Sequence, residues 1–368
     1  MIRARQDLAC TLLFFRLVVL VSFKLPRCVG FFASAFLFAL GGCGANVGTF
    51  DVGGTSDAGA LEVCDGQTLA QLASAKTISD GCKSALQTYL PAPFENFDGR
   101  VVVLGRETHD DGSLRLFVAG VDGAGAPLSN DALAGATVAP KNGAVAADAS
   151  VAVSVTPFAH LPEDVLSLEL VNDYSASMSI PDLKVVQRIQ DDLLNALPPI
   201  YEGEVTLFSS AVRVKQAFTT DHAALLAGVE CDEGFDRELT ALYDGMGNGL
   251  QSLTARSRPA RVLIVSTDGL ENASVAFKKT DILQRVAQDH VFVVMLGALF
   301  ADFDELSTLA GPNGVYFYTP LYANLHDQVA KLVTALSHGA AVDITADMAS
   351  QGPLVLAIAG QSVDVESD

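Results

Sequence analysis

Three short stretches carry oxygen-bearing side chains at spacings that could build one cation site. Asp173-Tyr174-Ser175-Ala176-Ser177 sets a carboxylate and two hydroxyls at alternate positions. Thr240-Ala241-Leu242-Tyr243-Asp244 offers another hydroxyl, and Thr267-Asp268-Gly269 a second carboxylate. Small hard cations such as Mg²⁺ take oxygen ligands in a near-octahedral array and keep several waters. Hydroxyls at alternate positions, Ser175 and Ser177, can point the same way from a turn. Taken singly, each stretch is an ordinary turn, because Ser, Asp and Gly are turn residues. The chemistry requires that the fold bring the three together.

The elements around them are of a kind that could do so. Val165–Val171 reads as an apolar strand ending at Asp173. Ile180–Leu197 repeats apolar residues at helical spacing through Leu183, Val186, Ile189, Leu193 and Leu194. Glu204–Phe208 and Val212–Phe218 read as strands whose three-residue link is too short for a crossover, so they form a hairpin. Asp221 opens a helix. Thr240–Leu253 is helical although Gly245, Gly247 and Gly249 weaken it. The strand Arg261–Ser266, helix Thr280–His290, strand Val291–Leu296, helix Phe303–Ala310, strand Val315–Tyr318 and helix Leu325–Leu336 follow. Strands alternating with helices predict an α/β fold, a doubly wound and mostly parallel sheet covered on both faces, with one antiparallel edge strand. Ligands of such sheets sit at the carboxyl ends of the strands, and all three stretches lie where strands end or helices begin, so they can converge on the same rim.

In order, spacing and placement, the three stretches resemble the metal-ion-dependent adhesion site of the von Willebrand factor type A family, over residues 163–338. The resemblance implies a Rossmann-like fold. It implies a site of Asp173, Ser175, Ser177, Thr240 and Asp268 holding Mg²⁺, or Mn²⁺ or Ca²⁺, with the hydroxyls as direct ligands and the aspartates acting through bound water. It also implies a protein partner whose carboxylate completes the coordination. Two departures stand out: Asn172 precedes Asp173 where the family has an apolar residue, and Ala176 stands where Gly is usual.

Residues 98–162 read differently. His109-Asp110-Asp111-Gly112 separates Val101–Thr108 from the alternating Ser113–Val118, a hairpin signal. Ala136–Val138 and Val151–Val155 add strands. The prediction is a small all-β, immunoglobulin-like unit. The tail, 339–368, holds two strand-like pieces, Ala341–Ala346 and Leu354–Ala359. One reading has them return to complete the β unit, which would make the α/β domain an insertion.

Residues 1–42 are basic, then apolar, and end in Leu40-Gly41-Gly42-Cys43. That layout is a secretion signal, and the four residues resemble the bacterial lipobox, which implies that Cys43 carries lipid. The resemblance further implies an outer-membrane lipoprotein of the cell envelope. Residues 43–97 would be a tether containing Cys64 and Cys82, whose short separation makes them the favoured disulfide pair. Cys231 is then a free thiol, read as a small buried apolar residue rather than a reactive group.

The net charge is −20, with 43 acidic and 23 basic residues, and five of the basic ones lie in residues 1–42. A body this acidic repels nucleic acid. No GxSxG, HExxH or phosphate-binding loop is present, and the six histidines fall singly. The reading is therefore a non-enzymatic, lipid-anchored protein that uses a divalent cation to capture an acidic group of a partner. Two alternatives remain: a scaffold with a metal-silent domain, and a regulatory subunit of an envelope enzyme complex.

Overall fold

Strand Leu166–Asp173 (β6) is buried along its whole length and occupies the middle of a sheet. In the computed structural model the residues described are 97–141, 151–161, 164–198, 201–268, 271–297, 301, 303–311, 313–318 and 325–365. They all lie in the second of the two units into which the chain divides, Pro93–Asp368. Cys43, Cys64, Cys82 and the leader fall outside them.

β6 pairs in parallel with Tyr201–Phe208 (β7) on one side and with Ala260–Thr267 (β9) on the other. β9 pairs in parallel with Phe292–Gly297 (β10), and β10 with Val315–Tyr318 (β11). Val212–Thr219 (β8) closes the far edge antiparallel to β7. The sheet is the mostly parallel, helix-covered one that the alternation predicted, with β8 as its antiparallel edge strand.

The helices of this sheet begin where capping chemistry allows. Ile180–Ala196 (α2) starts after Ser179, whose hydroxyl accepts from the Asp182 amide at 3.2 Å. His222–Val229 (α3) is capped by Asp221, which accepts from the Ala223 and Ala224 amides. Leu242–Thr254 (α4) has no such local cap. Lys279–Gln288 (α5), Phe303–Ala310 (α6) and His326–Ser337 (α7) complete the set.

The three glycines of α4 are there for close approach. A Cβ at Gly245 would lie 2.8 Å from the Phe208 ring, one at Gly247 2.4 Å from the Phe277 ring, and one at Gly249 2.9 Å from Glu169 Cγ. At Gly245 and Gly249 the helix lies nearer the sheet, and at Gly247 nearer the loop residue Phe277, than side chains would permit, and the packing so gained offsets the weak helix propensity of Gly.

The β unit draws on both ends of the described chain. Val101–Thr108 (β1) and Leu114–Gly120 (β2) form the expected hairpin. A short helix, Asn130–Ala134 (α1), not foreseen from the sequence, lies between β2 and Thr137–Pro140 (β3). Val151–Ala152 (β4) pairs with β3, and Ser154–Pro157 (β5) belongs to the other sheet. Ala340–Ile344 (β12) then runs antiparallel between β2 and β5. After the four-residue helix Ala346–Ala349 (α8), Leu354–Ile358 (β13) pairs with β3 and with Gln361–Val365 (β14). The order β5-β12-β2-β1 thus faces β14-β13-β3-β4, across a core that includes Leu116, Val138, Val342 and Leu356. The tail strands return, and the α/β segment is inserted between β5 and β12.

The opposite face of the first sheet joins the α/β layer. Phe117, Ala119, Phe158 and Ala341 share one hydrophobic core with Leu168, Leu183 and Leu332. β1 reaches β9 through a single pair, Gly105 with Ala260. A Cβ at Gly105 would lie 1.9 Å from the Pro259 carbonyl oxygen, so only Gly permits that junction. Among the described residues no helix is long and apolar enough to cross a membrane.

Candidate metal centre

β6 and β9 end side by side, and both end in residues of the candidate site. The Asp173 carboxylate, wholly buried, accepts from the Ser175 amide at 2.7 Å and from the Thr267 hydroxyl at 2.5 Å. Ser175 Oγ and Ser177 Oγ lie 3.0 Å apart. Ser177 Oγ donates to Asp268 Oδ1 at 2.7 Å. Four of the five predicted residues therefore form one hydrogen-bonded cluster across two neighbouring strand ends.

Thr240 reaches the same rim through the backbone. The Ala176 amide donates to the Glu238 carbonyl at 2.9 Å, and the Ala241 amide to the Ser209 carbonyl at 2.7 Å. Thr240 itself is buried and exchanges backbone bonds with Asn272: its amide donates to Asn272 Oδ1, and its carbonyl accepts from the Asn272 amide. This ties the Thr240 loop to the DxSxS turn on one side and to the segment after Asp268 on the other.

The electrostatics of the cluster are those of a cation site. Burial pushes the Asp173 carboxyl up to about 6, against the bonds from Thr267 and Ser175. Burial and then the charge of Asp173 push Asp268 up to about 7. Two carboxylates held close and largely out of water repel each other, and a divalent cation beside them would relieve both costs. Among the described residues no three His, Cys, Asp or Glu side chains converge on a metal. The remaining oxygens at this rim are hydroxyls, a donor set suited to a small hard cation. On both counts the residues fit the metal that the resemblance implies.

Several contributing residues were not assigned a role from the sequence. Asp244, in the first turn of α4, accepts from three successive amides: Val275 at 2.9 Å, Ala276 at 2.9 Å and Phe277 at 2.8 Å. In return, Glu271 accepts from the Tyr243 amide and Ser274 Oγ from the Asp244 amide, both at 3.0 Å. The loop 271–277 thus supplies the cap that α4 lacks locally. Tyr174, between the site residues, stacks edge-on against Phe235 with ring centroids 5.4 Å apart, and its hydroxyl accepts from the Asp232 amide.

The two departures from the family pattern prove compatible with the site. Asn172 is buried and fully engaged: it exchanges two side-chain bonds with Gln190 and accepts from the Ser266 hydroxyl at 2.7 Å. The polar network stands where an apolar contact would otherwise be. Ala176 keeps a negative φ, so a side chain there carries no backbone strain. Cys231 is a free thiol, half-buried rather than buried as expected.

Comparison with known proteins bears on the same region. The family model described as von Willebrand factor type A domain matches residues 168–331. No curated protein matches the chain. Similar solved structures include BatB from Bacteroides thetaiotaomicron, at 15% identity and TM-score 0.37, covering 45% of this chain and 98% of that one. Proximal thread matrix protein 1 from the mussel byssus, with a zinc-occupied MIDAS (adhesion-site) motif, gives 16%, 0.43, 52% and 50%. The SpRpn10 VWA domain gives 11%, 0.38, 47% and 97%.

Proposed function

Residues 168–331 are a von Willebrand factor type A domain, and on that premise we propose that the protein binds a partner through a divalent cation held at Asp173, Ser175, Ser177, Thr240 and Asp268. The observation that carries the proposal is the hydrogen-bonded cluster at the ends of β6 and β9, with both aspartates buried and both carboxyls raised by that burial, Asp268 further by the charge of Asp173. Ser175, Ser177 and Thr240 would hold Mg²⁺, or Mn²⁺ or Ca²⁺, while Asp173 and Asp268 would balance its charge. A cation held chiefly by neutral oxygens keeps a coordination position for a carboxylate of the partner.

Each residue has a task in this reading. Thr267 and the Ser175 amide orient the Asp173 carboxylate. Asp268 holds the Ser177 hydroxyl in place. The exposed Ser177 and Ala176 leave the cluster open on the side where a partner would dock. The leader and Cys43 add an export route and a lipid anchor in the bacterial envelope, so the partner would be an envelope or extracellular protein and the role adhesive rather than catalytic.

The test is calorimetry with Mg²⁺ alone. The wild type should bind one equivalent. The double variant Ser175→Ala, Ser177→Ala should bind none while its circular dichroism is unchanged. Equal affinity in both proteins would overturn the assignment, and no binding by the wild type would favour a scaffold with a silent domain.

A further inference from the structure

The loop between α3 and α4 carries a cation to the rim of the metal centre. Two bonds pin its backbone on either side of Arg237. Ser209 Oγ, just past the end of β7, donates to the Asp236 carbonyl at 2.7 Å. The Ala176 amide, between the two site serines, donates to the Glu238 carbonyl at 2.9 Å. Arg237 is therefore fixed beside the DxSxS turn. Its positive charge is near enough to favour the carboxylate form of Asp173.

Beyond that longer-range attraction to Asp173, its side chain makes no hydrogen bond or ion pair among the described residues. Arg237 is only partly exposed, and its Nε is buried without a hydrogen-bond partner. Two acids of the same loop are engaged by other residues. Glu238 accepts from the Ser210 hydroxyl, and Asp232 pairs with Arg213. Arg213 in the adjoining strand is paired with Asp232, whereas Arg237 carries a planar fork of donors matched to a carboxylate. A partly desolvated guanidinium with no directly hydrogen-bonded anion is costly to keep. One placed against a cation site is costlier still, since it repels the ion that the site is built to hold.

This inference rests on the reading of the site given above. We propose that Arg237 is a second anchor for the partner's acidic group: it engages the carboxylate that docks at the metal centre, and it makes the site selective for that anion over neutral oxygen ligands. Its cost in the free protein is recovered when the carboxylate arrives between two positive charges.

Arg237→Gln and Arg237→Lys test this, with two probes. The first is Mg²⁺ alone, measured by calorimetry. The second is acetate added to Mg²⁺-saturated protein, followed through the Ala176 and Ser177 amide resonances. Arg237→Gln should bind Mg²⁺ as tightly as wild type or more tightly, because a like charge is gone. Its acetate affinity should fall roughly tenfold, the scale of a charge-assisted bidentate bond at a half-exposed site. Arg237→Lys, which keeps the charge and loses the fork, should fall between. Unchanged acetate affinity in Arg237→Gln, with Mg²⁺ binding intact in both proteins, would overturn the anchor and leave the metal reading standing. Loss of Mg²⁺ binding in Arg237→Gln would make Arg237 a structural residue and also overturn it. Failure of the wild type to bind Mg²⁺ would remove the metal reading, and the anchor with it.

Discussion

Asp244→Ala should loosen the segment that follows the site without unfolding the protein. The carboxylate accepts from three consecutive amides at 2.8–2.9 Å. A hydrogen bond to a charged group is worth roughly 1.5–3 kcal/mol, so three give an upper bound of about 4–9 kcal/mol. The bound is not reached, because the loop amides border solvent: Val275 is 93% exposed, and water can replace part of what is lost. A loss of about 2–4 kcal/mol is expected, well inside the roughly 5–15 kcal/mol of a typical domain. Asp244→Asn keeps one acceptor oxygen, which can still serve Ala276 and Phe277, but turns an amide donor toward the Val275 N–H. Its expected loss is about 1–2 kcal/mol. Urea unfolding measures both. Hydrogen exchange at residues 275–277 should speed up in the order wild type, Asn, Ala. A loss under about 0.5 kcal/mol for Ala, the range of an ordinary surface substitution, would show that the loop is held by something other than Asp244. Unchanged exchange at those amides would show the same.

Three more outcomes follow from particular residues. Glu169 is wholly buried, neither carboxylate oxygen has a hydrogen-bond partner, and burial followed by the charge of Glu204 pushes its carboxyl well above the usual range. A raised carboxyl contributes stability that is fully present below its unfolded value and is lost as pH rises through the folded value. Glu169→Gln should therefore be more stable than wild type at pH 8 and lose that advantage at pH 5. Parallel urea midpoints at the two pH values would contradict this. Gly249→Ala should destabilise by about 1–3 kcal/mol through overpacking, although Ala is the better helix former, since the new Cβ would meet Glu169, Leu263 and Val171 within 3.0 Å; a rise in melting temperature would refute the close-packing account. Cys43→Ser should release the protein from the membrane fraction or leave it as unprocessed precursor, and wild-type processing and fractionation would exclude the lipobox.

The strands, helices and site turns of the α/β region could be read from the sequence because their signals are local. Leu183, Val186, Ile189, Leu193 and Leu194 recur at helical spacing and are buried together in α2. Asp173 and Asp268 stand at strand ends, and parallel neighbours in a doubly wound sheet end on the same edge. The strands β6 and β9 are such neighbours, which is why residues nearly a hundred positions apart meet. The return of the tail could be framed only as one option, because a strand's alternation says which face is buried and not which partner buries it. What decided it is long-range: β12 enters between β2 and β5.

The residues that escaped prediction share one cause: their role lies in a partner that sequence distance conceals. Asp244 is bonded to amides more than thirty positions away, and its position in a helix's first turn already had a sufficient explanation in the helix dipole. Glu169 is the sharper case. In Val165–Val171 the run reads as an apolar strand with one carboxylate, which a half-exposed strand would turn to water. A sheet covered on both faces has no such side. Glu169 shares a face with Asp173, and that face lies under α4, where a Cβ at Gly249 would meet Glu169 Cγ. On the neighbouring strand Glu204 stands in register beside it, whereas Glu202, two residues nearer the strand's start, is satisfied by Ser167 and Arg256. The same strand thus carries one acid that the metal reading uses and one that it does not. The unused acid lies deeper, beneath a helix whose first turn holds the loop after Asp268. Glycine at 249 lets α4 approach Glu169 closely, and burial there favours the uncharged carboxyl, so a pH dependence of the fold is expected beneath the site as well as in it.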